Sequence, residues 1–137
     1  MALPIKGPYV MNGTKIVFDT CAVIKLLDQQ YDLPSLGINV DEARLLTSVI
    51  VRMELLSKRQ MTDNEERGIL DFLNHLAVIP LSEDIEKKAV ELRRSTKLRL
   101  PDSIVAATSV VLDAILLTDD EHLHSLSLPG LKTQHIF

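Results

Sequence analysis

The sequence predicts an α/β sandwich, with a central, mostly parallel sheet of four to five strands and helices on both faces. Three observations predict it. Short β-branched runs alternate with longer stretches of helical periodicity, the pattern of parallel strands joined by crossover helices. The runs at 16–18 and 114–117 are apolar throughout rather than alternating, as strands covered on both faces are. With 137 residues, the chain has the length of one domain, and a domain of that size buries roughly 68–70% of its unfolded surface without a disulfide or structural metal.

The first 14 residues are broken by Pro4, Gly7, Pro8 and Gly13 and lack the apolar segment of a secretory signal. They are expected to form a flexible N-terminal arm, with the folded domain spanning 15–137. Lys15–Asp19 reads as the first strand and ends in an acid; Ala22–Gln29 reads as a helix. The stretch from Tyr31 to Asn39 holds Pro34 and Gly37 and reads as a connection. Leu45–Val49 is the second strand, running into a helical segment, Val51–Arg59, that carries Glu54.

Thr62 and Glu65 form a T-x-x-E capping box, and Ile69, Phe72, Leu73 and Leu76 then recur at helical spacing. Ala77–Leu81 is the third strand, with Pro80 expected at an end or edge because it has no amide to donate. Ser82 is the N-cap of the next helix, with Glu83, Asp84 and Glu86 near the positive end of its dipole and Ile85, Ala89 and Leu92 on its buried face. A further helix opens at Pro101 and buries Ile104, Ala107, Thr108 and Val111. Ala114–Thr118 is the fourth strand, a polar turn covers Asp119–His124, and an extended run, Thr133–Phe137, closes the chain.

The composition is that of an ordinary globular protein, 46% hydrophobic and 25% charged, which excludes intrinsic disorder. No apolar run approaches the ~18 residues of a membrane span. One cysteine, Cys21, excludes an internal disulfide framework and a multi-cysteine zinc site and suits a reducing cytoplasm. Cys21 reads as a small buried hydrophobe rather than a nucleophile. His75, His122, His124 and His135 form no ligand spacing and read as surface histidines. Nineteen Asp+Glu against fifteen Lys+Arg leave a net charge of −4, which taken alone argues against a nucleic-acid partner.

The acids are not scattered, however. In open α/β sheets, sites form beyond the carboxyl ends of the strands. Asp19 ends the first strand, Glu54 lies in the helix after the second, Asp102 opens a helix and Asp120 follows the fourth strand. They are 35, 48 and 18 positions apart, so only the fold brings them together. Ionised carboxylates gathered without matching cations repel one another, and the relief is protonation or a divalent cation. Hard oxygen donors without Cys or paired His point to Mg²⁺ or Mn²⁺. Each acid also has a plain structural reading: Asp19 caps a turn, Glu54 is a solvated helix residue, Asp102 is a first-turn acid, and Asp119 with Asp120 is a turn pair.

Four segments carry a family resemblance: IVFDTCAVI, TSVIVRMELL, LRLPDSIVAATS and ILLTDDEHL. Taken in order, they resemble the motifs of the PIN-domain family, and the chain is most similar to the small VapC-type toxins. The third segment is the most specific of the four. The resemblance implies a PIN-like three-layer sandwich and a metal-dependent endoribonuclease with Asp19, Glu54, Asp102 and Asp120 as metal-binding acids. Thr118 would be the hydroxyl near the metals, Thr20 and Ser48 would support the site, and Asp119 is the neighbour at a position that varies in the family. Mg²⁺, with Mn²⁺ as substitute, would be the cofactor. RNA would be the substrate, an antitoxin protein the partner, and a homodimer the assembly. Two departures stand out: Cys21, where many members carry Asn or Ser, and an N-terminal arm longer than in many members.

Residues 86–99 hold six Lys or Arg against two Glu, a local balance of +4 just ahead of Asp102. Arg93, Arg94, Lys97 and Arg99 are therefore candidate RNA-backbone contacts; the plain alternative is a solvated helix face. With no Trp, two Tyr and three Phe, base stacking on aromatic side chains would be sparse. Two other readings share the acids at strand ends. A receiver-like phosphoacceptor would need a Lys after a late strand, where this chain has Asp119, Asp120 and Glu121. A catalytically inactive PIN-like module binding RNA or protein would keep the fold alone.

Overall fold

A computed structural model describes residues 13–136, so nearly all of the expected arm, and Phe137 of the closing run, lie outside the described residues. The strands are β1 (Lys15–Phe18), β2 (Arg44–Ser48), β3 (Ala77–Ile79), β4 (Ile115–Leu117) and β5 (Lys132–Gln134). The helices are α1 (Thr20–Leu27), α2 (Val49–Leu56), α3 (Asp63–Leu73), α4 (Glu83–Ser95), α5 (Leu100–Val111) and α6 (Glu121–Ser125). The sheet has the order β3-β2-β1-β4-β5 with every pairing parallel. The chain first runs outward from β1 through β2 to β3, then returns to the other side of β1 as β4. Strand order therefore reverses at the β1/β4 boundary, the kind of switch point beyond which open α/β sheets place their sites.

Successive strand residues point to opposite faces, yet Ile16, Val17 and Phe18 in β1, and Ile115, Leu116 and Leu117 in β4, are all buried. Both faces of the sheet are thus covered, as the apolar runs require. Helix α5 is the best-buried helix: Ser103 through Ser109 are all buried. Its polar members satisfy themselves within the helix, Ser103 donating to Leu100 O, Thr108 to Ile104 O and Ser109 to Ala106 O. The buried middle of a helix can thus carry hydroxyls without leaving any unpaired.

The caps place the helices as the sequence predicts at two starts. Thr62 and Glu65 close a full capping box at the head of α3, and Ser82 accepts from Ile85 N–H at the head of α4. Elsewhere boundaries shift for identifiable reasons. Asp19 takes the Thr20 amide, so α1 starts at Thr20 rather than Ala22 and stops at Leu27, before Gln29 turns left-handed at φ 59°. Ser48 caps α2, which starts at Val49 and ends at Leu56, short of Arg59. Pro80 falls just past β3. Val111 is exposed rather than buried, because the last turn of α5 emerges from under the sheet. The expected turn at 119–124 contains a short helix, α6, capped by Asp120. The closing strand is Lys132–Gln134, ahead of the expected Thr133–Phe137.

Phe18, fully buried, meets Phe72 edge-on, with ring centroids 5.6 Å apart. Phe18→Ala should cost about 3–5 kcal/mol in denaturant unfolding, whereas Thr62→Ala, which removes only the exposed capping box of α3, should cost about 1 kcal/mol. Equal losses in the two variants would contradict this placement of the core.

Candidate functional site

Asp19 is the first residue beyond β1 and is 7% exposed. One carboxylate oxygen accepts the Thr20 amide at 2.8 Å and the other accepts the Thr118 hydroxyl at 2.7 Å. Thr118, fully buried just beyond β4, also accepts the Asp120 amide through its hydroxyl oxygen at 3.1 Å. One hydroxyl therefore joins the loops that follow β1 and β4. Asp120 turns its own carboxylate onto the His122 amide at 2.9 Å and so starts α6.

The other two acids arrive from helices. Ser48, buried at the end of β2, caps α2 by accepting the Ile50 amide and so directs the helix that presents Glu54. Glu54 is exposed, but its Oε1 accepts the Thr20 hydroxyl at 2.7 Å, tying α2 to α1. Asp102 lies in the first turn of α5, its Oδ2 3.7 Å from Arg99 Nε. Asp119 points instead to Lys25 of α1, with which it forms an ion pair. The plain structural readings hold as geometry for Asp19, Asp102 and Asp120, and the same residues stand at one sheet edge.

Electrostatics link these acids. Burial is the main cause that raises Asp19 above the ordinary carboxyl value; hydrogen bonds from Thr118 and Thr20 oppose it, and the charge of Asp102 adds to it. Asp102 is raised too, first by burial; Arg99 opposes the shift, and Asp120 and Glu54 add to it. Arg99 is the cation acting on Asp102, and its side chain is 83% exposed. Asp119 is held low by the Cys21 thiol and the Lys25 ammonium.

This donor set suits a hard divalent cation. Among the described residues no group of three or more His, Cys, Asp or Glu stands close enough together to hold a metal ion; Mg²⁺ is also bound through one or two carboxylates with several waters kept. The charge that Asp102 feels from Asp120 and Glu54 is the imbalance such an ion would relieve. Cys21 is half-buried rather than an isolated core residue: its sulfur lies 3.5 Å from the Thr118 hydroxyl and 3.7 Å from Asp19. Burial and the Asp19 charge push its thiol up to about 12, so at neutral pH it carries no thiolate.

The basic run divides. Arg93 donates to Leu98 O at 2.8 Å and clamps the turn between α4 and α5. Arg94 and Lys97 are exposed, and Arg99 alone of the four pairs with a site acid. Two residues of the site have no signal in the sequence. Lys25 neutralises Asp119, and His124, far from a plain surface residue, is half-buried with Nε2 2.8 Å from Thr118 O and Nδ1 2.8 Å from Thr133 Oγ1. Beside Glu54, a hollow of about 550 Å³ between α1, α2 and α3 is lined by Ile24, Leu27, Leu55 and Ile69, with Lys58 at its edge. No described helix is long and apolar enough to cross a membrane.

The PIN-domain family model matches residues 16–127. Among solved structures, the chain is similar to VapBC2 from Rickettsia felis bound to a promoter DNA fragment, at TM-score 0.77 and 19% identity, covering 89% of this chain and 98% of that one. VapBC-1 from nontypeable Haemophilus influenzae gives TM-score 0.75 at 19% identity, with coverage of 89% and 98%. DNA-bound VapBC from Salmonella typhimurium gives 0.72 at 19%, with coverage of 90% and 99%. At these identities the likeness is one of fold. Comparison with curated proteins gives no significant match.

Because burial raises the Asp19 carboxyl, its ionised form weakens the metal-free fold as pH climbs above the ordinary value of 3.8, and that penalty is absent below it. Asn caps a helix as well as Asp does. In EDTA, Asp19→Asn should therefore melt at a higher temperature than wild type at pH 7, with the gap closing toward pH 4. A variant less stable than wild type at pH 7 would contradict the sign.

Proposed function

The chain belongs to the PIN-domain family, and on that premise we propose that residues 15–137 form a Mg²⁺- or Mn²⁺-dependent endoribonuclease, the toxin of a toxin–antitoxin pair. The observation that supports the proposal is the link across the β1/β4 boundary: the Thr118 hydroxyl joins Asp19 to the Asp120 amide, Glu54 accepts the Thr20 hydroxyl next to Asp19, and the charge of Asp102 acts on Asp19. A bound divalent ion supplies the activated water and the charge neutralisation that in-line phosphodiester hydrolysis needs.

The chain's own residues do the rest. Asp19 and Asp120 are held in fixed relation by the Thr118 hydroxyl, so the ligands need little reordering when the ion arrives. Thr20 restrains Glu54, the most exposed of the four acids. Lys25 takes Asp119 out of the count of free charges. Arg99, on an exposed stem beside Asp102, is placed to meet the phosphate backbone, with Arg94 and Lys97 adding diffuse attraction. Arg93, also exposed, donates to the Leu98 carbonyl as well and so holds the turn ahead of α5. No side-chain nucleophile is required, and the protonated Cys21 supplies none.

The partner is an antitoxin, as in the toxin–antitoxin complexes this fold resembles. The apolar hollow next to Glu54 supports this, since a helical segment seated there could extend its chain over the acids. The working enzyme is expected to be a cytoplasmic homodimer, with twice the chain mass in light scattering.

Purified protein should cleave RNA with Mg²⁺ or Mn²⁺ and stop in EDTA, and Asp102→Asn should reduce cleavage to the no-enzyme level with an unchanged circular dichroism spectrum. Full activity in that variant would sink the assignment, and metal binding without cleavage would favour an inactive PIN-like module. Ile24→Glu should weaken binding of the co-encoded antitoxin by at least about tenfold, since the new charge is buried on docking, while cleavage persists. Unchanged affinity would remove the hollow from the interface.

A further inference from the structure

His124 lies outside the acid set, yet it is bound to the residue that holds two of those acids together. Its backbone amide donates to Asp120 O at 3.2 Å within α6. Its Nε2 meets the Thr118 carbonyl at 2.8 Å and its Nδ1 meets the Thr133 hydroxyl at 2.8 Å. A carbonyl can only accept, so Nε2 carries the hydrogen, and in the neutral ring Nδ1 then accepts from Thr133. The ring stacks on His135 with centroids 3.5 Å apart and planes 15° off parallel, and His135 Nε2 lies 3.4 Å from Glu121. The imidazole is thus fixed at two nitrogens and one face.

Thr118 has further ties, besides the Cys21 sulfur 3.5 Å from its hydroxyl. Thr118 N–H donates to Gln134 O, the Thr118 hydroxyl donates to Asp19, and the same oxygen accepts the Asp120 amide. Thr118 is fully buried, and any displacement of its backbone would carry the hydroxyl away from the Asp19 carboxylate and the Asp120 amide together. Without His124, β5 would hold this peptide through the Thr118 amide alone.

We infer that His124 is a positioning residue for the metal centre: by donating to the Thr118 carbonyl and bridging to Thr133, it fixes the Thr118 hydroxyl against Asp19 and Asp120. This rests on the acids' reading as metal ligands. It acts through Thr118 and touches neither ion nor substrate. Residues that orient metal ligands from behind typically affect metal affinity by about 10–100-fold.

Two readouts on the full chain test it: calorimetric Mn²⁺ binding, and amide hydrogen exchange at Thr118–Asp120 in the metal-free protein. His124→Phe keeps a ring to stack on His135 but loses both hydrogen bonds. It should bind Mn²⁺ about tenfold more weakly and exchange faster at Thr118–Asp120. His124→Gln places an amide donor near the Nε2 position and should recover most of both losses, falling short of wild type only by the missing Thr133 bridge, which a purely space-filling role would not produce. Wild-type Mn²⁺ affinity and exchange in His124→Phe, or equal losses in the Phe and Gln variants, would overturn the inference. Should His124→Phe fail to fold, Thr133→Val removes only the Nδ1 partner; a severalfold weaker Mn²⁺ affinity with faster local exchange supports the role, and no change overturns it. If wild-type protein binds no Mn²⁺, the metal reading fails by itself, and the exchange measurement still decides whether His124 holds the Thr118 peptide.

Discussion

Carboxylates gathered at one edge of one sheet repel one another, and the rest of the site depends on holding them there. The hydrogen bond from the Thr118 hydroxyl to Asp19 is the centre of that restraint. It spans the β1/β4 boundary, the one place where the strand order turns back on itself, and the same oxygen receives the Asp120 amide. Burial of both partners keeps water from competing for the bond. The protein therefore accepts an Asp19 carboxyl whose charged form is disfavoured by burial.

Local structure and chemistry are served by the same side chains. Asp19 caps α1, Asp120 caps α6, and Asp102 sits in the first turn of α5, where a negative charge is favoured by the helix dipole. These roles use one oxygen each of Asp19 and Asp120 and the position of Asp102. The net charge of −4 accordingly conceals two opposed regions, an acid cluster at the sheet edge and a basic segment leading into Asp102. A whole-chain charge is therefore a poor guide to whether phosphate can approach.

The legible part of the fold was whatever is encoded within a few residues. The Thr62–Glu65 box, the Ser82 cap and the apolar runs of β1 and β4 depend on neighbours in sequence, and each appears in place. The acids could be named because their spacing from strand ends is local, although their coupling is not. Helix α6 was hidden because Asp120 was read only as a ligand or turn residue, when it is also a cap. Val111 continued a periodic face that ends where the covering layer ends. Lys25 and His124 carried no local mark at all: their partners, Asp119, Thr118 and Thr133, come from other segments. Arg93 looked like its basic neighbours until the turn beyond α4 presented the Leu98 carbonyl to it.

Where a divalent ion binds decides the role of these acids. Crystals soaked in Mn²⁺ and measured for anomalous scattering would show this directly. A peak beyond the carboxyl ends of β1 and β4, contacted by carboxylate oxygens from Asp19 and from Asp102 or Asp120, is the predicted result. Ordered, accessible crevices without a peak there, or a peak only at another part of the surface, would contradict it.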